Sequence, residues 1–211
     1  MLADPEKCCR VVLFRHPELA DADRGRAVGG GDATLSRRAA THAIEVLRAL
    51  APLSIDHVFS SPAAHCRRSA EAIAQDRGLV VTTDERLRDQ NLGSWQGRPW
   101  TALHQDEPEL MRDFFADYGL VAPPGGESLS DAVDRTLEWW SASVEAFEDQ
   151  CIVVVSAAPL LSGFAARLLG VSIRRAPALS LPAAAFGILD VFRDGAFLRS
   201  WHPLSLSEEL P

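Results

Sequence analysis

Two short runs of apolar, largely β-branched residues constrain the fold of this chain more than any other feature. One run reads C-R-V-V-L-F over residues 9–14, and the other reads C-I-V-V-V over residues 151–155. Runs of this length with so few polar residues are typical of strands that are buried on both faces of a parallel sheet. Arg15-His16 follows the first run, and Ser156-Ala157 follows the second. The runs therefore predict interior strands with small or polar residues at their carboxyl ends.

Helical patterns separate the predicted strands. Residues 34–50 place alanine, isoleucine and leucine on one helical face, with Thr34 or Ser36 as the expected cap. Ser128 and Asp131 form a capping box for a long helix that extends to about residue 148. Near the end of the chain, Asp194-Gly195 between two apolar segments predicts an antiparallel hairpin. The other predicted elements are strands at 56–60, 79–82, 185–192 and 196–201 and helices at 61–77, 101–115 and about 159–170.

This alternation predicts an α/β protein built as a three-layer α/β/α sandwich. The sheet is expected to be mostly parallel, with helices on both faces and the antiparallel hairpin at the C-terminus. The chain has 211 residues and no stretch that looks like a linker, so we expect a single domain over residues 1–211. Ligands of such sheets bind outside the carboxyl ends of the strands. That rule brings together Arg15-His16, residues 60–66 and Ser156-Ala157.

Composition excludes several classes of function. The formal net charge of -8 argues against a general nucleic-acid or membrane surface, so we expect neither as a partner. No apolar run reaches transmembrane length, and residues 1–6 lack the basic and apolar parts of a signal peptide, which predicts a cytoplasmic protein. The four cysteines include no C-x-x-C pair, so we expect buried, reduced thiols and no zinc.

Three separated segments carry residues suited to phosphate chemistry. Arg15-His16 follows a predicted buried strand, where an imidazole can attack phosphorus while a guanidinium holds the phosphoryl oxygens. Residues 60–70 form a strand-to-helix junction with free backbone N–H groups. Asp89 lies in an irregular segment over residues 88–97 and is a candidate general acid. Taken singly, each segment has an ordinary structural explanation: a hydrogen-bonded histidine, a capped helix with a solvated Arg67-Arg68 face, and a turn aspartate.

The order of these segments resembles the histidine-phosphatase superfamily, whose fold is phosphoglycerate-mutase-like. Arg15-His16-Pro17-Glu18 resembles that family's Arg-His-Gly-Glu signature, with proline in the glycine place as in some branches. The strand that begins at Cys151 stands where the family has V-V-S-H. Each similarity is weak alone, but together they cover nearly the whole chain in the right order. The others are residues 29–36 with G-x-x-D-x-x-L-S, 60–70 with S-S-P-L-x-R-A-x-x-T-A, 87–97 with L-R-E-x-x-x-G-x-W-E-G and 123–128 with P-P-G-G-E-S.

The resemblance implies a reaction without metal or cofactor, and it implies a role for each matching residue. His16 is the expected nucleophile that becomes phosphohistidine, and Asp89 stands at the position of the acid that protonates the leaving oxygen. Arg15 and His65 are expected to bind the phosphoryl group together with position 157, where the family has a second histidine. The loop motifs imply substrate contacts from Gly30, Gly31, Ser60 and Glu127.

Three of these positions depart from the family pattern. Asp89 stands in place of a glutamate and keeps the carboxyl group on a shorter stem. His65 stands in place of the second arginine; a bound phosphate favours its protonated form, yet it lacks the guanidinium fork. Ala157 supplies no donor in place of the second histidine. Because one preorganised donor is worth roughly 100- to 1000-fold in rate, we expect turnover far below that of a complete site.

Two functional hypotheses remain open from the sequence. The first is slow, metal-independent hydrolysis of a phosphorylated small metabolite through phospho-His16. The pattern over residues 15–36 resembles the α-ribazole-phosphatase-like branch, and a mutase is less favoured because it needs a complete site. The second is an inactive pseudophosphatase, natural or with an introduced Ala157, that binds a phosphorylated ligand or a protein partner.

The sequence also leaves two structural questions open. A substitute for the missing imidazole would have to come from another histidine of the chain, and the best placed is His104, which follows the tryptophan loop. The resemblance is compatible with a homodimer. The full set of candidate substitutes is His42, His57, His104 and His202.

Overall fold

The computed structural model describes residues 7–202, except for the side chains of residues 144, 145 and 202. One six-stranded sheet contains the strands β1 (Cys9–Arg15), β2 (His57–Ser60), β3 (Val81–Thr83), β4 (Cys151–Ser156), β5 (Phe186–Phe192) and β6 (Gly195–His202). The strand order is β3-β2-β4-β1-β5-β6. Strands β1 to β4 pair in parallel, whereas β5 is antiparallel to both β1 and β6. The mostly parallel sheet with a C-terminal antiparallel hairpin is therefore confirmed.

Helices cover both faces of this sheet. In the described range they are α1 (Ala39–Leu50), α2 (Ala64–Arg77), α3 (Trp100–Asp106), α4 (Pro108–Ala116), α5 (Leu129–Ser143) and α6 (Ala158–Leu168). Apolar side chains of α1 and α2 pack with Val12 and Val153 on one face. Those of α5 and α6 pack with Leu13 and Val154 on the other. This is the expected three-layer sandwich. No helix within residues 7–202 is long and apolar enough to cross a membrane.

The two central strands, β1 and β4, are the apolar runs from which the fold was predicted. Successive side chains of a strand point to opposite faces, and both faces are covered by helices, so neither strand needs polar residues in its interior. In the β1–β4 ladder Arg15 stands opposite Ser156. The backbone N–H of the following residue, His16, donates to the Ser156 carbonyl at 3.3 Å. The register therefore brings His16 close to Ala157 at the carboxyl edge of the sheet.

The first helix begins later than the sequence suggested, at Ala39. Residues 34–36 are extended because Leu35 forms a bridge with Leu19 and the Ser36 N–H donates to Glu18 O at 2.8 Å. Neither Thr34 nor Ser36 therefore caps α1, whose start has no side-chain cap. This pairing ties the loop after β1 to the segment before α1.

Two other elements differ from the expected pattern. The helix expected over 101–115 is two helices, α3 and α4, because Pro108 disfavours helical geometry at Glu107 and begins a new helix at its own position. The helix expected to reach residue 148 leaves α-geometry after Ser143 and continues as a 3-10 helix over Val144–Phe147. Its capping box is confirmed: the Asp131 carboxylate accepts from the Ser128 N–H at 2.9 Å.

Candidate active site

A cavity of about 310 Å³ opens at the carboxyl ends of β1 and β4. Arg15 and His16 reach it from the end of β1, and Ala157 reaches it from the N-terminus of α6. His65, in the first turn of α2, and Asp89, after the 3-10 helix Glu85–Leu87, complete the set. The five residues predicted as catalytic or phosphate-binding therefore line one cavity, although the sequence separates the first from the last by more than half the chain.

The His16 imidazole is held with one nitrogen available for chemistry. Its Nδ1 lies 2.7 Å from the Pro17 carbonyl oxygen, to which only a protonated Nδ1 can donate. Burial and the neighbouring His65 lower the pKa of His16 to about 3. The ring is therefore neutral across ordinary pH, with its proton on Nδ1 and a lone pair on Nε2.

The ring of His65 packs edge-on against that of His16, with 4.5 Å between the centroids and 80° between the planes. The Ala33 N–H donates to Nδ1 of His65 at 3.2 Å, so the ring proton is on Nε2. Burial lowers the pKa of His65. Protonating Nδ1 of His65 would point its N–H at the Ala33 N–H, and two donors cannot bond each other. His65 therefore presents a neutral N–H donor from Nε2, and the protonated form expected beside a bound phosphate stays a prediction.

The Arg15 guanidinium is buried at the floor of the cavity. Its Nη1 donates to the Leu181 carbonyl oxygen at 2.5 Å, which fixes the plane of the group. Its Nε is buried and has no hydrogen-bond partner among the described residues. Burial lowers the pKa of Arg15, yet a guanidinium stays protonated in proteins. Arg15 therefore places a fixed positive charge with an unused donor beside His16.

The Asp89 carboxyl group also has an unused atom. Its Oδ1 is buried and has no hydrogen-bond partner in the part of the chain that the structure describes. Burial raises the pKa of Asp89 to about 6, and the raise is partly offset by the backbone N–H groups of Gln90 and Leu160 and by the Arg135 charge. A carboxyl group with this pKa can carry a proton near neutral pH and release it.

Glu127 and Arg135 hold the segment that carries Asp89. Arg135 Nη2 donates to the Asp89 carbonyl at 2.9 Å and to Glu127 Oε1 at 2.8 Å. The same Oε1 accepts from the Asn91 N–H at 2.8 Å. Gln90 Nε2 donates to the Glu127 carbonyl at 2.7 Å. Glu127 is therefore a positioning residue behind Asp89 and does not line the cavity, and the substrate contact expected of it stays a prediction.

The other expected substrate-loop residues also lie outside the cavity. Gly30 and Gly31 face a shallower depression, because the Gly30 N–H binds the Gln90 carbonyl at 2.9 Å and packs this turn against residues 88–90. Ser60 is fully buried, and its hydroxyl donates to the Ser61 carbonyl at 2.7 Å. The glycines that do line the cavity are Gly29 and Gly119.

Apart from His16 and His65, no histidine with a described side chain lines the cavity. His104 stacks on Phe115 with 5.9 Å between the ring centroids. His57 stands at the start of β2, the end of that strand opposite the site, near Phe147. His42 lies on α1. The side chain of His202 lies outside the described residues.

Several lining residues were missed by the sequence analysis. Glu18 and Arg26 lie in the loop after β1, and four aromatic residues come from α3, α4 and the turn that follows. A signal was present, because residues 108–118 read P-E-L-M-R-D-F-F-A-D-Y and place more aromatic residues than one helix can bury. The four aromatic residues are Trp100, Phe114, Phe115 and Tyr118.

We expect Asp89→Asn to stabilise the protein at pH 7.5 but not at pH 4. The folded state holds the Asp89 proton up to a pKa of about 6, against a reference value of 3.8. Free energy of unfolding is therefore lost as pH rises between these values, by up to about 3 kcal/mol. Thermal unfolding at the two pH values measures the difference. Asp113→Asn, at an exposed surface carboxylate, is the matched control, and an equal Tm for Asp89→Asn and the unaltered protein at pH 7.5 would contradict the expectation.

Comparison with known proteins agrees with this geometry. One curated relative is "Probable phosphoglycerate mutase GpmB" of Salmonella choleraesuis, 32% identical over 126 residues, which are 60% of this chain and 59% of the relative. The alpha-ribazole phosphatase of Shigella flexneri superposes with a TM-score of 0.82 at 24% identity, covering 95% of this chain and all of that one. A mycobacterial glucosyl-3-phosphoglycerate phosphatase gives 0.82 at 26%, covering 92% and 98%. Residues 11–203 match the model of the histidine phosphatase superfamily, branch 1, and the chain therefore belongs to that superfamily.

Proposed function

We propose that the protein hydrolyses the phosphomonoester of a small metabolite by attack of His16 Nε2 on phosphorus, without a metal. One observation carries the proposal. The neutral His16 ring is fixed by its Nδ1–H bond to Pro17, next to the Arg15 guanidinium, which lines the same cavity. An unprotonated imidazole beside a fixed positive charge is suited to nucleophilic attack on a phosphoryl group.

The proposed reaction has two steps. In the first, His16 Nε2 forms a bond to phosphorus, the bond from phosphorus to the ester oxygen breaks, and protonated Asp89 gives its proton to that oxygen. In the second, the oxygen of a water molecule forms a bond to phosphorus, Asp89 accepts a proton from that water, and the bond from phosphorus to His16 Nε2 breaks. Inorganic phosphate leaves, and the neutral imidazole and the protonated carboxyl group are restored. The raised pKa of Asp89, about 6, supports both roles.

The rate is expected to be low. Ala157 faces the cavity with a methyl group, and His65 contributes a neutral donor in place of a second guanidinium. Both changes reduce the positive charge available to the transition state, although such losses are not additive. Among the described cationic side chains, we assign only Arg15, which is next to His16, to the phosphoryl group.

A second candidate function is binding without turnover, and Ala157 is the observation that favours it. In that case the cavity holds a phosphorylated ligand, and the Arg15 guanidinium contacts its oxygens. The two candidates share the binding step and differ only in whether His16 forms a covalent bond. Rapid-quench phosphoryl transfer from p-nitrophenyl phosphate, with base-stable phosphohistidine detected by mass spectrometry, separates them. A phosphorylated His16 and steady release of nitrophenol support hydrolysis, whereas neither product would contradict it.

Arg15→Ala is expected to weaken vanadate binding by at least 10-fold under either candidate function. The substitution removes a charge-assisted contact in a partly desolvated site, where such contacts are strong. Isothermal titration calorimetry with vanadate measures the change. Arg112→Ala is the matched control, because Arg112 is exposed and pairs with its neighbour Asp113. Equal vanadate affinity in Arg15→Ala and the unaltered protein would show that the anion does not bind at this cavity.

A further inference from the structure

The cavity is lined by two chemically different sets of residues. One set, Arg15, His16 and Asp89, is polar. The other is an aromatic wall, which we define as Trp100, Phe114, Phe115 and Tyr118. The wall belongs to α3, α4 and the turn after them, outside the central sheet.

The aromatic wall packs against the buried side chain of Trp95. Trp95 is fully buried and packs edge-on against Phe114, with 5.2 Å between the ring centroids. Its indole N–H donates to the Glu107 carboxylate at 2.9 Å, which satisfies the polar atom. Phe115 lies farther from Trp95 and contacts the rings of Phe114 and Trp100, with 5.3 and 6.1 Å between the ring centroids. The rings are thus held in place before any ligand binds.

Phe115 is exposed although apolar groups surround it. Its side chain is 48% exposed, and it lines the same cavity as His16. Isolated exposed apolar residues are common, but a half-exposed ring within a cluster of rings at a cavity marks a binding surface. A ring or other flat apolar group placed there would remove apolar area from water on both sides.

Two charged side chains near the aromatic wall, Arg26 and Glu18, have partners within the protein. Arg26 donates from Nε to the Ala22 carbonyl at 2.8 Å and from Nη1 to the Gly97 carbonyl at 2.9 Å. Glu18 pairs with Arg24 at 3.3 Å. A ligand group that bound either of these two side chains would compete with the bonds they already make.

We propose that the aromatic wall binds the organic part of the substrate, and that this part is an apolar ring system attached to the phosphoryl group through an ester oxygen. The inference rests on the proposed function, because the phosphoryl group must sit at Arg15 and His16 for the wall to face the rest of the molecule. A cavity of about 310 Å³ is small for a ligand pocket, which favours one ring or a fused pair over a larger molecule.

The test compares three ligands by calorimetry at one pH: inorganic phosphate, glycerol 3-phosphate and 1-naphthyl phosphate. We expect naphthyl phosphate to bind at least 10-fold more tightly than glycerol phosphate. Phe115→Ala is expected to weaken the naphthyl ester by about 5-fold, in line with the worth of a ring contact, and to leave inorganic phosphate unchanged. Phe197→Ala is the matched control, because Phe197 is also about half exposed, at 53%, but lies on β6.

The outcomes separate this inference from the proposed function. Equal affinity for the two esters with intact phosphate binding would overturn the aromatic substrate class and leave the proposed function standing. Binding of none of the three ligands would overturn both. Because Phe115 is half exposed, the alanine variant is expected to fold. Phe115→Tyr keeps the ring and is expected to retain the preference for the naphthyl ester. Loss of that preference in both Phe115→Ala and Phe115→Tyr would count against ring contact as its cause.

Discussion

Ala157→His is expected to raise kcat for p-nitrophenyl phosphate by about 100-fold, the lower end of what one preorganised donor contributes. Position 157 is the N-cap residue of α6, and its side chain already faces the cavity. The β1–β4 ladder sets it beside His16. A ring nitrogen there can donate to the phosphoryl oxygens opposite Arg15, where the present chain offers a methyl group.

Ala157→Leu is the control for this gain. Leucine fills similar space but has no donor, so its kcat is expected to stay at or below that of the unaltered protein. Vanadate affinity should rise in the histidine variant and not in the leucine variant. A gain shared by both variants would mean that filling the cavity, and not donating to the phosphoryl group, limits the rate. No gain in the histidine variant would mean that another residue limits it.

His16→Asn is expected to reduce turnover to the uncatalysed background and to abolish phosphohistidine. The asparagine amide nitrogen occupies nearly the place of Nδ1, so the bond to the Pro17 carbonyl can persist while the nucleophilic Nε2 is lost. The effect is larger than that of removing one donor, because His65, which also lines the cavity, accepts the Ala33 N–H at Nδ1 and carries its proton on Nε2, so it has no free lone pair to replace that of His16. The measurement is made in the unaltered chain and in the Ala157→His background, where the signal is expected to be larger.

His57→Asn serves as the control, because His57 is exposed at the opposite end of β2. It is expected to leave both turnover and phosphohistidine unchanged. Turnover that survives in His16→Asn with a normal rate would show that water attacks phosphorus directly, and it would remove the covalent step from the proposed mechanism.

The architecture could be predicted because each signal was local and strong. The two apolar runs became β1 and β4, and the Asp-Gly turn became the β5–β6 hairpin. The end of α1 was predicted and its start was not, because a long-range bridge between Leu19 and Leu35 replaces the first turn. Such tertiary pairing overrides local helix propensity and is not visible in a single sequence.

The residues assigned to chemistry could also be predicted from the sequence, because they follow predicted strands. The charge state of His65 could not, since it depends on the Ala33 N–H, which lies 32 positions away. The role of Glu127 was missed for the same reason: its partners, Asn91 and Arg135, come from two other segments. The predicted single domain, cytoplasmic location, small-metabolite partner and homodimer stay predictions.

The break between α3 and α4 at Glu107-Pro108 has a consequence for how this protein can change over evolutionary time. Arg15, His16 and Ala157 are placed by the central strands β1 and β4, where a one-residue slip would turn every side chain to the opposite face. The rings that we propose to face the ligand rest on two short helices with their own small core around Trp95. Substitutions in these helices can therefore alter which molecule is accepted at little cost to the sheet. Diversification of ligand preference in relatives with this architecture should concentrate between residues 100 and 118.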